Sequence, residues 1–309
     1  MPRFAHNNEI QIAFEDLGGA GGDPLLLVMG LGSSRFWWPD GLVDELVRRG
    51  FHVVAYDHRD AGQSTHLPDR HEGSPIAALL RHAPPAYSAE DLTDDAVAVL
   101  DALGWERAHL FGYSMGGLVA QRIAIRHPRR VLTLATSSAV PSDVKGLRVL
   151  RHVRLASLAR FARLRHPETP QGNLALALAV ARILAAPGRR VDEHDVREIV
   201  DKEAAHQVAG FRDQRAQSRQ IGAKWHGGPL ARITAPTLVL HGSRDPLLRV
   251  SAARDIAAAV PGARLRVLPD VGHFLVGDIW ATYADELRAL ADRVDARRDL
   301  RLDQERQDD

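Results

Sequence analysis

Six short apolar runs recur along the chain, and they constrain the fold more than any other feature. They are Leu25 to Val28, His52 to Tyr56, Ala108 to Phe111, Val131 to Ala135, Thr237 to Leu240 and Leu265 to Leu268. Most are continuous rather than alternating, the pattern of a strand covered on both faces. Ile10 to Glu15 alternates instead and predicts a first, half-covered strand, joined to the next by a glycine-rich turn at Gly18 to Gly22. Helical patterns lie between the runs at Gly41 to Arg49, Ala89 to Leu103 and Met115 to Arg126. Ser88 is placed to cap the second of these and Gly104 to stop it. Strands alternating with helices predict an α/β fold, with a mostly parallel central sheet flanked by helices on both faces.

Two stretches break the alternation. Residues 66–88 carry Pro68, Pro75, Pro84 and Pro85 around a short apolar piece and predict a surface insertion. Residues 141–230 hold no convincing strand and predict an inserted helical cap of three or four helices. Its first helix is marked by Leu147, Leu150, Leu158, Phe161 and Leu164 at spacings of three and four. The domain plan is then a core at 1–140 and 231–296, the cap at 141–230 and a charged, disordered tail at 297–309. A chain of 309 residues that is 45% hydrophobic has enough material for one large core plus such an insertion. The cap holds 16 Lys and Arg against 9 Asp and Glu, while the whole chain has a formal net charge of only +1. That balance gives no global attraction to nucleic acid, and within the cap it fits either a solvated surface or a site for anionic groups. There is no cysteine, hence no disulfide framework and no thiolate nucleophile. No stretch reaches the roughly 18 apolar residues of a membrane span, and the polar start of the chain reads as neither signal nor anchor. A cytoplasmic protein is expected.

The chemistry-bearing signal is Gly112-Tyr113-Ser114-Met115-Gly116, placed where a buried strand ends and a helix begins. In that context a serine sits on a sharp turn, its hydroxyl exposed at the end of the sheet. The flanking glycines keep side chains away from neighbouring elements, and the helix N-terminus faces developing negative charge. A serine needs a base and the base an orienting acid, in the chain order Ser, Asp, His. Among 15 histidines, His273 in Asp270-Val271-Gly272-His273-Phe274 stands just past the last predicted strand, where open α/β sheets place their sites. Asp245, in Gly242-Ser243-Arg244-Asp245-Pro246, follows the strand before it. An acid one strand earlier is not available, since Thr136, Ser137 and Ser138 precede any carboxylate. Asp278 is the rival to Asp245. Two backbone N–H groups complete the expected site as an oxyanion hole: Met115, the residue after the nucleophile, and Leu31, in Met29-Gly30-Leu31-Gly32. Trp37 and Trp38 follow closely and are expected either to wall an acyl pocket or to pack in the core.

These residues resemble the α/β-hydrolase superfamily over nearly the whole chain. Leu27-Val28-Met29-Gly30, with Tyr56-Asp57-His58-Arg59-Asp60 and Gly62-Gln63-Ser64, is similar to the bacterial polyketide methylesterase group typified by aclacinomycin methylesterase. Met29 stands where most relatives have histidine, as in that group, and Asp60 replaces the first glycine of the usual Asp-x-Arg-Gly-x-Gly turn. The resemblance implies a cofactor-free, metal-free serine hydrolase acting on a small-molecule carboxylic ester, small to medium in size and apolar. Perhydrolase or haloperoxidase chemistry and C–C bond hydrolysis use the same three residues and stay open. A ligand receptor of the same fold is the non-enzymatic alternative. Ser114 argues against dehalogenases and epoxide hydrolases of this fold, whose nucleophile is aspartate.

Overall fold

A computed structural model describes residues 2–68 and 86–308. Eight strands form one sheet: β1 (Arg3–Asn7), β2 (Ile10–Gly18), β3 (Asp23–Val28), β4 (Phe51–Tyr56), β5 (Ala108–Tyr113), β6 (Val131–Ser137), β7 (Thr237–Gly242) and β8 (Arg264–Leu268). Their order is β1-β2-β4-β3-β5-β6-β7-β8. β2 pairs antiparallel with β1 and β4, and every later pairing is parallel. The expected strands are all present. β1 adds one that its composition conceals, because only Ala5 of the strand is buried. Of the expected buried runs, Leu265 to Leu268 differs most: β8 closes the sheet at its edge, and Leu265 is exposed there.

The continuous runs divide their side chains between two cores. Leu25, Leu27, Val53, Ala55 and Leu238 face one side, and Leu26, Val28, Val54, Tyr56 and Val239 the other. The first side is covered by α1 (Asp40–Arg48) and by the long C-terminal helix. The second is covered by α2 (Ala89–Leu103), α3 (Met115–Arg126) and a helix after β7. α2 begins at Ser88 with a reciprocal capping box to Asp91 and ends at Gly104 in a left-handed conformation, φ 71°.

Between β6 and β7 the described residues form helices and no strand: α4 (Leu155–Ala162), α5 (Pro170–Leu184), α6 (Glu193–Ala205) and α7 (Gln214–Gly222). Asp192 and Asp213 cap α6 and α7, and Thr169 with Pro170 starts α5. The single helix expected through Leu147 to Leu164 is broken. A 3-10 turn over Gly146–Arg151 precedes α4, and the backbone between them pairs with residues 247–249 instead of continuing the helix. Leu147 and Leu155 are therefore exposed. α5 and α6 share the first core: Ala181 and Val196 pack with Trp37, Tyr113 and Phe274.

After β7 come α8 (Val250–Ala259) and α9 (Trp280–Asp308). α9 runs helical through 297–308, where the charged composition predicts disorder. Ala, Leu, Arg, Glu and Gln are strong helix formers, and no Gly or Pro interrupts them. Of the expected insertion at 66–88, residues 69–85 lie outside the described part. Among the described residues, no helix is long and apolar enough to cross a membrane.

Candidate functional site

Ser114 joins β5 to α3 with φ 56° and ψ −121°, a left-handed backbone unusual for a residue with a side chain. Its N–H donates to the Ser137 carbonyl of β6 at 2.9 Å, and its carbonyl accepts from the Gly117 N–H at 3.0 Å. A side chain at Gly112 would meet the Gly116 carbonyl oxygen at 2.4 Å, and one at Gly116 would meet the Val28 carbonyl oxygen at 1.9 Å. Glycine is thus required at both positions by close backbone approach.

The carboxyl ends of β7 and β8 bring in the other two side chains. His273 Nε2 lies 3.0 Å from Ser114 Oγ, and His273 Nδ1 lies 2.7 Å from Asp245 Oδ2. A carboxylate only accepts, so Nδ1 carries the proton and Nε2 presents its lone pair to the serine hydroxyl. The other carboxylate oxygen, Oδ1, accepts from the N–H groups of Leu247 at 2.8 Å and Leu248 at 2.7 Å. Burial pushes the Asp245 carboxyl up. The charge and hydrogen bond of His273, the charge of His241 and the Leu248 N–H outweigh it and hold its pKa below the ordinary value. The rival Asp278 is exposed and pairs with Arg189, away from His273. His273 is 3% exposed and held from three directions: its N–H donates to Leu184 of α5 at 2.7 Å, its carbonyl accepts from the Tyr113 hydroxyl, and its ring stands beside that of Tyr113.

The loop after β3 passes beside Ser114. A side chain at Gly30 would lie 3.3 Å from Ser114 Cβ. The N–H groups of Leu31 and Met115 have no hydrogen-bond acceptor among the described residues. The Met29 carbonyl accepts from His58 Nε2 at 3.0 Å; burial lowers the His58 pKa to about 4, so the ring is neutral. Arg35 is buried against Asp57 and also bonds Glu15 and Gln63. Trp37 and Trp38 part company. Trp38 packs on Phe111 and Tyr113, whereas Trp37 lines a small cavity with Leu176, Val200, Glu203 and Phe211.

Three residues around the site escape sequence reasoning. His241 lies 3.7 Å from Asp245 and is fully buried. Glu203 of α6 accepts from the Ser34 hydroxyl at 2.8 Å and Trp37 Nε1 at 3.0 Å. Gln220 of α7 accepts from the Gly32 N–H at 3.0 Å. His241 had a weak signal, directly after the predicted strand Thr237 to Leu240 and four residues before Asp245. The other two sit in polar helical stretches with no motif. Among the described residues, no three His, Cys, Asp or Glu side chains gather as a metal ion would require.

The sheet order, the strand–turn–helix at Ser114 and the side chains at the strand ends define a hydrolase of the α/β class. Residues 23–278 match the alpha/beta hydrolase fold family, and the chain belongs to it. Rhodomycin D methylesterase DnrP of Streptomyces peucetius is 31% identical over 294 residues, covering 89% of this chain and 93% of its own. A hydrolase from Pseudomonas aeruginosa PA01 is 25% identical with a TM-score of 0.65, over 94% of this chain and 97% of that one. The esterase RhEst1 from Rhodococcus sp. ECU1013 shares the fold with a TM-score of 0.70 at 19% identity, over 95% and 99% of the two chains.

Proposed function

We propose that the protein is a carboxylic ester hydrolase that works through an acyl-enzyme on Ser114, with His273 as base and Asp245 as its orienting acid. The observation that carries this reading is the unbroken row Asp245–His273–Ser114, at 2.7 and 3.0 Å, ending on a strained serine at a helix N-terminus. Ser114 Oγ attacks the ester carbonyl while His273 Nε2 takes its proton. The carbonyl oxygen becomes an oxyanion and is met by the N–H groups of Leu31 and Met115. The intermediate collapses, the C–O bond to the alcohol breaks, and His273 returns the proton to the departing alkoxide. Water then gives a proton to His273 and attacks the acyl carbon. The second intermediate releases the carboxylic acid, and Ser114 regains its proton. Asp245 stays ionised, stabilising the imidazolium.

The substrate class is a carboxylic ester of small to medium size and apolar character, and the likeness to rhodomycin D methylesterase supports a methyl ester. Residues 141–230 act as the cap over a core at 1–140 and 231–296. Support comes from the bonds of Leu184 to the His273 backbone and of Glu203 to Ser34 and Trp37. The reaction takes place in the cytoplasm. Stopped-flow hydrolysis of 4-nitrophenyl acetate tests the chemistry. A burst of one nitrophenolate per chain is expected, and Ser114→Ala should lower turnover by roughly 10⁴–10⁶-fold with the fold retained. Turnover by the mutant at the wild-type rate would refute the assignment.

A further inference from the structure

The peptide unit that carries the Leu31 N–H joins Gly30 to Leu31, and with Gly32 following, the segment has a glycine on either side of Leu31 and is intrinsically soft. Its direction depends on what anchors it at either side. On one side His58 holds the Met29 carbonyl. On the other, the anchor comes from the helical insertion. Gln220 is 4% exposed; its Oε1 accepts from the Gly32 N–H, and its Nε2 donates to the Arg59 carbonyl, both at 3.0 Å. One residue thus ties the loop after β3 to the loop after β4. Gly32 stands at φ 61°, and the Gln217 side chain, one turn before Gln220, lies so close that a Cβ there would meet Gln217 Cγ at 2.4 Å.

α7 is itself fastened by an uncommon pair. Arg219 Nε and Nη2 donate to Asp60 Oδ2 and Oδ1 at 2.8 and 2.9 Å. The Asp60 carboxylate is fully buried and also accepts from the Leu67 N–H at 2.8 Å. Asp60 has φ 63°, a conformation that favours glycine. The aspartate costs backbone strain at that turn and supplies a bidentate partner for α7.

We infer that Gln220 is a positioning residue for ester hydrolysis: docked by the Asp60–Arg219 pair, α7 aims the Leu31 N–H at the reacting carbonyl through the bond from Gly32 to Gln220. This rests on the assignment of Leu31 to the oxyanion hole. It makes the insertion part of the catalytic apparatus rather than only a wall for substrate.

The test compares kcat/KM for 4-nitrophenyl acetate and its thiono counterpart, in which sulfur replaces the carbonyl oxygen and accepts hydrogen bonds poorly. The ratio of the two is independent of how much of a preparation is active. Wild type should favour the oxygen ester, and Gln220→Met should reduce that preference by about tenfold or more, a fraction of what losing an oxyanion donor outright would do. If Gln220→Met does not fold, Asp60→Gly carries the same test, since glycine suits the local backbone; its preference should fall several-fold. A preference that survives in the variant, even with a lower rate, would make α7 a structural prop and overturn the inference. A wild type with no preference, or with no burst, would instead overturn the hydrolase assignment on which it rests.

Discussion

Ser114 and Glu203 show how one residue can work against the stability of its own fold. The left-handed serine costs on the order of 1–3 kcal/mol, and its own backbone bonds to Ser137 and Gly117 hold it in place. Glu203 is a second such group. Burial raises its carboxyl to about 7; the Ser34 and Trp37 hydrogen bonds pull the other way, and the charge of Asp57 adds to the rise. Between about pH 4.5 and 7 the native carboxyl is still protonated while the unfolded one has already ionised. The unfolded chain then binds fewer protons, so this group's contribution to stability falls as pH rises through that window and levels off above it. The loss is on the order of 3 kcal/mol. Glu203→Gln keeps an oxygen for Ser34 and Trp37 and cannot ionise. Thermal melts should show it more stable than wild type at pH 8 and nearly equal to it at pH 4.5. An equal gain at both pH values would contradict the account.

Around the nucleophile, the elements meet backbone to backbone. α3 starts so close to the end of β3 that Gly116 faces the Val28 and Met29 carbonyls. Gly116→Ala must push α3 away from the loop that bears Leu31. It is expected to lower stability by roughly 1–3 kcal/mol, and to lower kcat more than KM. Chemical denaturation and steady-state kinetics check the two effects separately; an alanine accepted without loss of either would contradict the packing described. Much of this level was legible in the sequence because the signals are local. The capping box at Ser88, the stop at Gly104 and the strand–turn–helix at Ser114 each occupy a few adjacent residues. Ser114, His273 and Asp245 could be named for the same reason, as each follows a readable strand. What was illegible depends on distant partners. The helix expected over Leu147 to Leu164 is interrupted by backbone pairing with residues 247–249, and nothing local announces that. β1 carries too little buried surface to be seen. Gln220 and Glu203 are ordinary polar helix residues until the chain folds them against the loop after β3.

At the scale of the whole molecule, the arginine-rich insertion faces a core of opposite charge. Arg151 pairs with Asp255, Arg189 with Asp278, Lys202 with Asp40 and Arg219 with Asp60, each crossing from the insertion to the core. Four of the 16 Lys and Arg of residues 141–230 are thereby engaged in pairs with the rest of the chain. Exposed charges act over about a Debye length, roughly 8 Å at physiological salt. Esters of equal size, one neutral and one anionic, are therefore expected to show the same dependence of kcat/KM on ionic strength. A rate for the anionic ester that falls selectively with salt would show the arginines steering substrate instead.

The central claim is that Ser114 is the nucleophile of this architecture, and covalent labelling tests it most directly. A fluorophosphonate phosphonylates a serine only where a base removes the proton and fluoride can leave. Tandem mass spectrometry of the labelled, digested protein should place one modification per chain on Ser114, with none in Ser114→Ala and little in His273→Ala. Label on another residue, or undiminished label in Ser114→Ala, would contradict the account.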